Sequence, residues 1–378
     1  KSLLLNQKET DLLLCFIVDE VYGLGPLEPL LVDSSISDIL VNGAKEIFVE
    51  RHGTLQLCSV KFRDNAHLIH LIKKIVNQAG RRIDMSVPYV DARLPDGSRV
   101  NAVLPPISID QPLLSIRRFS SARDSLDALT ANNTLTTEMA AVLSLLVRCR
   151  LNILISGGTG SGKTTLLNAL SWSISEHERL VTIEDAAELQ LNQPHVLRLE
   201  TRQANLRGEG LVTQRELVIN ALRMRPDRIL LGEVRGPEAF DMLQAMNVGH
   251  DGSMTTLHAN SPEESLGRLL NMVLMSDAAL SESTILEQIS SVIDLVVQIG
   301  RVSQGQRRIL RVSTIAGIKG GQVIMHDLYR FHYTHSEGNS LGAHEKCQIP
   351  SPRWMSKVVA AKQLENFQAF HLIAEQTS

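Results

Sequence analysis

Residues Gly157-Gly-Thr-Gly-Ser-Gly162-Lys163-Thr164 follow the apolar run 152–156 and precede a segment with helical spacing. They fit the pattern G-x-x-x-x-G-K-[ST] in the strand–loop–helix setting that the pattern requires. No other feature of the 378 residues leaves so little freedom. A glycine-rich turn between a buried strand and a helix calls for an α/β layer around it, with the turn at the carboxyl end of a parallel strand. Glycines let the backbone wrap around phosphates with its N–H groups turned inward. The helix N-terminus adds partial positive charge. The expected cradle is Gly158, Thr159, Gly160, Ser161, Gly162, Lys163, Thr164 and Thr165. In it, Lys163 is expected to reach the β- and γ-phosphates of ATP, and Thr164 to ligate Mg²⁺.

The rest of the chain supplies the layers. Helical spacing at 138–148, 163–175, 213–223, 236–247, 262–275 and 282–291 alternates with strand-length runs at 152–156, 180–184, 196–200, 228–232, 253–257 and 294–299. Such alternation predicts an α/β domain around a largely parallel sheet, over 136–331, closed by a hairpin at 307–331. Residues 1–118 read as a separate α+β unit. Leu12, Leu13, Phe16, Ile17 and Val21 lie near helical spacing, up to Gly23-Leu-Gly-Pro26. Short strands follow over 32–62, turning at Asn42-Gly43 and His52-Gly53. A helix is expected over 65–82, with Leu68, Ile69, Leu71, Ile72, Ile75 and Val76 on one face, then strands over 89–118. Residues 119–135 are rich in Ser, Ala, Asp, Thr and Asn and read as a linker. Residues 332–378 read as an unassigned tail, irregular up to a short helix within 353–374.

A phosphate loop needs a carboxylate near the metal and a group that orients or deprotonates water. The apolar strand from Arg228 ends at Gly232-Glu233, where Glu233 is expected to hold Mg²⁺ through water or to position the attacking water. A second strand, from Leu180, ends in Glu184, Asp185 and, three residues on, Glu188, any of which suits a general base. Gly249-His250-Asp-Gly252-Ser-Met-Thr-Thr256-Leu-His258-Ala-Asn260 brings Thr, His and Asn after a strand, groups able to sense a terminal phosphate by hydrogen bonding.

Composition narrows the partners. A net charge of −3 argues against a dedicated duplex-DNA binder, and 4% aromatic residues against a stacking platform for single strands. Cys15, Cys58, Cys149 and Cys347 show no zinc spacing and read as reduced thiols of a cytosolic protein. No apolar stretch reaches membrane-spanning length, and no signal peptide is visible. The chain opens on Lys1 rather than Met, which leaves room for an N-terminal extension.

Phosphate loop, Ile183-Glu-Asp-x-x-Glu188, Leu-Leu-Gly-Glu233-Val-Arg and Gly-His-x-Gly…Thr-Leu-His258-Ala-Asn, in that order, resemble the Walker A, Asp, Walker B and His boxes of the secretion-ATPase superfamily, the motors of type II and type IV secretion and type IV pili. Arg198-Leu-Glu-Thr-Arg202, the Gly208-Glu-Gly stretch, Leu222-Arg-Met-Arg-Pro-Asp-Arg228 and Gly232 to Phe240 look like its CpaF branch, the tight-adherence pilus ATPases. The resemblance covers roughly 20–331; the tetracysteine element of some type II members is absent. It implies a RecA-like P-loop NTPase domain preceded by a smaller PAS-like α+β domain. It further implies six subunits in a ring, with ATP between the domains. Carried over by motif, Glu188 becomes the better base and Glu184 its rival, Glu233 the Walker B carboxylate and His258 the His-box residue. The family also uses N-domain arginines on the terminal phosphate. The candidates lie in Asp91–Arg99 and at Arg117-Arg118, with Arg99 and Arg117 favoured. The implied setting is a cytoplasmic hexamer, peripheral to the inner membrane, working on an integral platform protein to assemble or retract a pilus, with no nucleic acid partner. Two alternatives stand: a DNA-handling type IV secretion ATPase, and a scaffold that binds ATP without cycling.

Overall fold

The computed structural model describes residues 6–374 except 52, 119–124, 203, 205–208, 277, 303–304 and 337–338. The chain divides into two compact units, Lys1–Ala122 and Arg123–Ser378.

The first unit begins with helix α1 (Gln7–Val21), closed at its start by a capping box between Asn6 and Glu9, and a short α2 (Glu28–Val32). Three strands follow, β1 (Ile36–Asn42), β2 (Glu46–Arg51) and β3 (Thr54–Leu57), then α3 (Asn65–Gln78) and β4 (Tyr89–Arg93), β5 (Arg99–Val103) and β6 (Leu113–Arg117). The six strands form one antiparallel sheet in the order β3-β2-β1-β6-β5-β4. Asp64 caps α3 by accepting from the His67 amide at 2.7 Å. The helix buries Leu68, Leu71, Ile72, Ile75 and Val76 against Ile39, Val41, Val100, Leu114 and Ile116 of the sheet. The expected helix and strands are present, the helix four residues shorter than 65–82.

Period-two alternation puts alternate residues of this sheet on its other, polar face. There the register aligns Arg93 with Arg99, Arg99 with Arg117, Arg117 with Asp38, and Asp38 with Glu50. Residues directly opposite share a face, and like charges so placed repel. Three arginines thus stand in one cross-strand row.

The second unit contains α4 (Leu126–Ala131), α5 (Thr137–Arg148), β7 (Ile153–Gly157), α6 (Lys163–Ser171), β8 (Leu180–Glu184), β9 (Val196–Glu200), α7 (Gln214–Ala221), β10 (Arg228–Leu231), α8 (Glu238–Asn247), β11 (Met254–Leu257), α9 (Pro262–Leu274), α10 (Glu282–Val292) and β12 (Leu295–Arg301). It closes with β13 (Arg307–Lys319), β14 (Gln322–Ser336), β15 (Asn339–Lys346), α11 (Met355–Ala360) and α12 (Leu364–Gln368). One sheet runs β15-β14-β13-β12-β7-β11-β10-β8-β9, parallel from β12 to β9 and antiparallel beyond β12. The central strands β7, β8, β10 and β11 are buried along their whole length, because helices cover both faces. One core joins α5 and α6 to the sheet, the other α7 to α10.

Two stretches differ from expectation. Residues 119–124 of the expected linker lie outside the described residues, but from Ser125 the chain folds. Ser125 caps α4, and Leu129 and Leu135 enter the core. Sparse apolar residues hid this helix, since one short face is all it buries. The tail is likewise structured. β14 runs past Phe331, β15 pairs with it, and Trp354 and Phe367 pack edge to face in the interior, their ring centres 5.5 Å apart. Lys357 reaches Asp294 at 2.8 Å and Asp251 at 2.7 Å, tying α11 to the base of β12 and to the turn before β11. Polar edge strands and five- or six-residue helices leave weak periodicity, which is why the tail reads as irregular. Among the described residues, no helix is long and apolar enough to cross a membrane.

Candidate functional site

In an open α/β sheet, ligands bind beyond the carboxyl ends of the parallel strands. Here four such ends meet. The glycine-rich loop follows β7, Glu184 ends β8, Glu233 lies two residues past β10, and His258 directly follows β11. Strand order, not chain order, makes β11 the neighbour of β7.

Gly160 and Gly162 take positive φ, +66° and +99°, a conformation that a side chain would strain. The loop turns through them into α6, for which Gly162 is the N-cap. Lys163 is buried, and its Nζ donates to the carbonyls of Gly157 and Gly158 at 3.1 and 3.0 Å. The same Nζ stands 3.2 Å from Nδ1 of His258, whose Nε2 is 2.7 Å from Glu233 Oε1. An ammonium can only donate, so Nδ1 accepts and the ring proton sits on Nε2, facing the carboxylate. Burial lowers the His258 pKa, Glu233 opposes that, and Lys163 adds to it, which suits the neutral ring. Glu233 Oε2 in turn receives Arg235 at 2.5 Å, and Arg235 stands 3.5 Å from Asp185. A polar chain therefore runs from the loop lysine through His258 and Glu233 to Arg235.

The β8 turn separates the two rival carboxylates. Glu184 is buried, and its Oε2 accepts from the amides of Glu188 and Leu189 at 2.7 and 3.0 Å. It anchors the turn that presents Glu188, whose side chain is half-buried. Burial pushes the Glu184 carboxyl from 4.5 up to about 7, against the downward pull of those amides. The folded state then holds this proton more tightly than the unfolded chain does. The contribution of Glu184 to stability is fully present below pH 4.5 and is lost as pH rises through about 7, by up to ~3 kcal/mol. Glu184→Gln should flatten the thermal midpoint between pH 5 and 8; equal slopes in both proteins would place the effect elsewhere.

The donor set fits a magnesium–polyphosphate. The loop supplies backbone N–H groups and Lys163, while the Thr164 hydroxyl and Glu233 offer hard oxygens. Among the described residues, no cluster of three or more His, Cys, Asp or Glu could hold a metal alone.

Other expected residues fall elsewhere. Thr256 donates its hydroxyl to Gly232 O at 2.7 Å and so braces the Glu233 turn rather than facing outward. His250 lies at the opposite end of β11 and contacts Pro226 O at 3.0 Å, apart from His258. Arg99 and Arg117 belong to the first unit, side by side in its arginine row. Arg118 is spent on that unit's own fold, on the carbonyls of Asp33 and Ile36. Arg235 and Arg301, on Glu233 and on the glycine loop, had no role assigned from sequence. Arg235 sits within the Gly-Glu-Val-Arg box, a signal that was present; Arg301 lies far along the chain and gave none.

The family model "Type II/IV secretion system protein" matches residues 20–340. A Mycobacterium tuberculosis protein named for conjugal transfer is 38% identical, over 80% of this chain and 87% of its own length. The type IV secretion system protein VirB11 of Bartonella quintana is 32% identical, over 74% of this chain and 88% of its own. The solved structure of the pilus retraction motor PilT with bound ADP aligns with a TM-score of 0.54 at 16% identity, covering 92% of this chain and 88% of that one. That likeness is one of fold: a RecA-like domain behind a smaller N-terminal one.

Proposed function

The chain belongs to the type II/IV secretion system protein family, and from that premise we propose that it hydrolyses ATP with Mg²⁺ to drive a pilus or secretion apparatus. The observation that carries this is the continuous contact from Lys163 through His258 to Glu233 at the ends of three neighbouring strands. A merely structural glycine turn would have no use for a buried lysine facing a histidine–carboxylate pair. Magnesium, when bound, neutralises phosphate charge, and Thr164 and Glu233 would hold it. Glu188 takes the proton of the attacking water, and Lys163 offsets charge on the transferred group. Arg99 and Arg117 are assigned to the terminal phosphate.

On this reading the subunits form a hexameric ring in the cytoplasm, against an integral platform protein of the inner membrane, and the specific setting is a tight-adherence pilus. Residues 1–118 serve as the nucleotide-closing domain and 136–331 as the ATPase domain. Glu188→Gln should lower ATP turnover about 10²-fold while nucleotide affinity stays near that of the unaltered protein. Phosphate release and fluorescent-nucleotide titration check this; undiminished turnover would return the base to Glu184 or elsewhere.

The relatives' names favour a second reading, a transfer apparatus that handles DNA. The net charge of −3 weighs against it. DNA-stimulated turnover that falls steeply with salt would decide for it.

A further inference from the structure

The hairpin that flanks the phosphate loop, β12 and β13, carries two arginines that the chemistry above leaves unused. Ile299 of β12 pairs with Gly157, so the end of β12 runs beside the start of the loop. Arg301 is two residues further and shares the face of Ile299. Across the hairpin its register partner is Arg307. Arg301 Nε donates to Gly160 O at 3.0 Å. A Cβ on Gly160 would stand 2.6 Å from Arg301 Nη2, and one on Gly162 3.2 Å from Arg307 Cδ. Each left-handed residue of the loop is thus covered by one arginine.

The consequence lies in the Gly160–Ser161 peptide. A trans peptide points its C=O and N–H in opposite directions. Holding the carbonyl outward on Arg301 turns the Ser161 N–H into the loop, where it meets Gly158 O at 3.3 Å. A charge-assisted bond of this kind is among the stronger ones available to a backbone carbonyl. We infer that Arg301 is a positioning residue of the nucleotide site: through the Gly160 carbonyl it presets the Ser161 amide as a phosphate donor. This rests on the nucleotide reading of the loop.

Three variants separate hydrogen bonding from charge. In Arg301→Gln the amide nitrogen takes the chain position of Nε and keeps the donor without the charge. Arg301→Lys keeps the charge, and Arg301→Ala keeps neither. Fluorescent ADP and ATP titrations of the full chain, with KM, kcat and thermal midpoints, read the result. Arg301→Ala should bind both nucleotides about tenfold more weakly, with KM rising in step and kcat changing less. Arg301→Gln should recover most of that affinity. The side chain is exposed, so all midpoints should stay close together. The inference is overturned if Arg301→Ala binds as the unaltered chain does, if only Arg301→Lys restores binding, or if lost affinity tracks a fallen midpoint. An unaltered chain that binds neither nucleotide would overturn the nucleotide reading itself.

Discussion

Replacing Lys163 by alanine is expected to lower ATP turnover on the order of 10³-fold, the scale of losing one well-placed donor on a charged transition state. The expectation follows from where the ammonium sits. It is buried, and it is held by two loop carbonyls and His258 within 3.2 Å. In such surroundings a charge acts on a phosphate with little solvent screening. No other lysine or arginine within the loop 157–164 can take its place. The substitution also removes the partner that fixes the His258 proton on Nε2, so Glu233 loses its oriented neighbour. Phosphate release at saturating ATP and Mg²⁺ measures the effect. Turnover within tenfold of the unaltered protein would remove the loop from the chemistry.

The largest effect on stability should come from Arg228→Met, about 3–5 kcal/mol. Arg228 is fully buried at the start of β10. Its Nε and Nη2 each donate to one oxygen of Glu178 at 2.8 Å, and Nη1 donates to Val147 O at 2.8 Å. Burial raises the Glu178 carboxyl, but the Arg228 bonds and charge, aided by Arg150, outweigh it and hold the pKa below its ordinary value. Methionine leaves that carboxylate buried with only Arg150, at 2.9 Å. At roughly 2–4 °C per kcal/mol for a unit of this size, the midpoint should fall by about 10 °C. The double variant Arg228→Met with Glu178→Met should regain part of the loss, because removing both charges avoids the stranded one. A single variant within 1 kcal/mol of the unaltered protein, or a double variant worse than the sum, would contradict this account.

Both sites show how far a one-dimensional pattern reaches. The loop itself was legible, since its glycines, Lys163 and Thr164 are contiguous and their chemistry is set by local backbone geometry. The strands and helices of the second unit were legible for the same reason, because periodicity is a local property. The separate surroundings of Glu184 and Glu188 were not. Both carboxylates follow one strand, and only the fold shows that Glu184 turns back onto the amides of Glu188 and Leu189. Arg228 reads as an ordinary strand-leading arginine until Glu178, 50 residues before it, is seen alongside. The strands of the tail and α4 were missed because polar edge strands and one short helix carry too few apolar residues to show a period.

The sequence by itself determined the phosphate loop, the α/β alternation around it and the family to which both belong. Each depends on residues within a few positions of one another, where bond geometry and periodicity act. Only the tertiary structure decided which groups meet the loop. His258 reaches Lys163 across 95 residues and Arg301 reaches Gly160 across 141. Those meetings exist because β11 and β12 pair with β7 on either side. Strand order follows from how all the buried faces pack at once, and no local pattern encodes it.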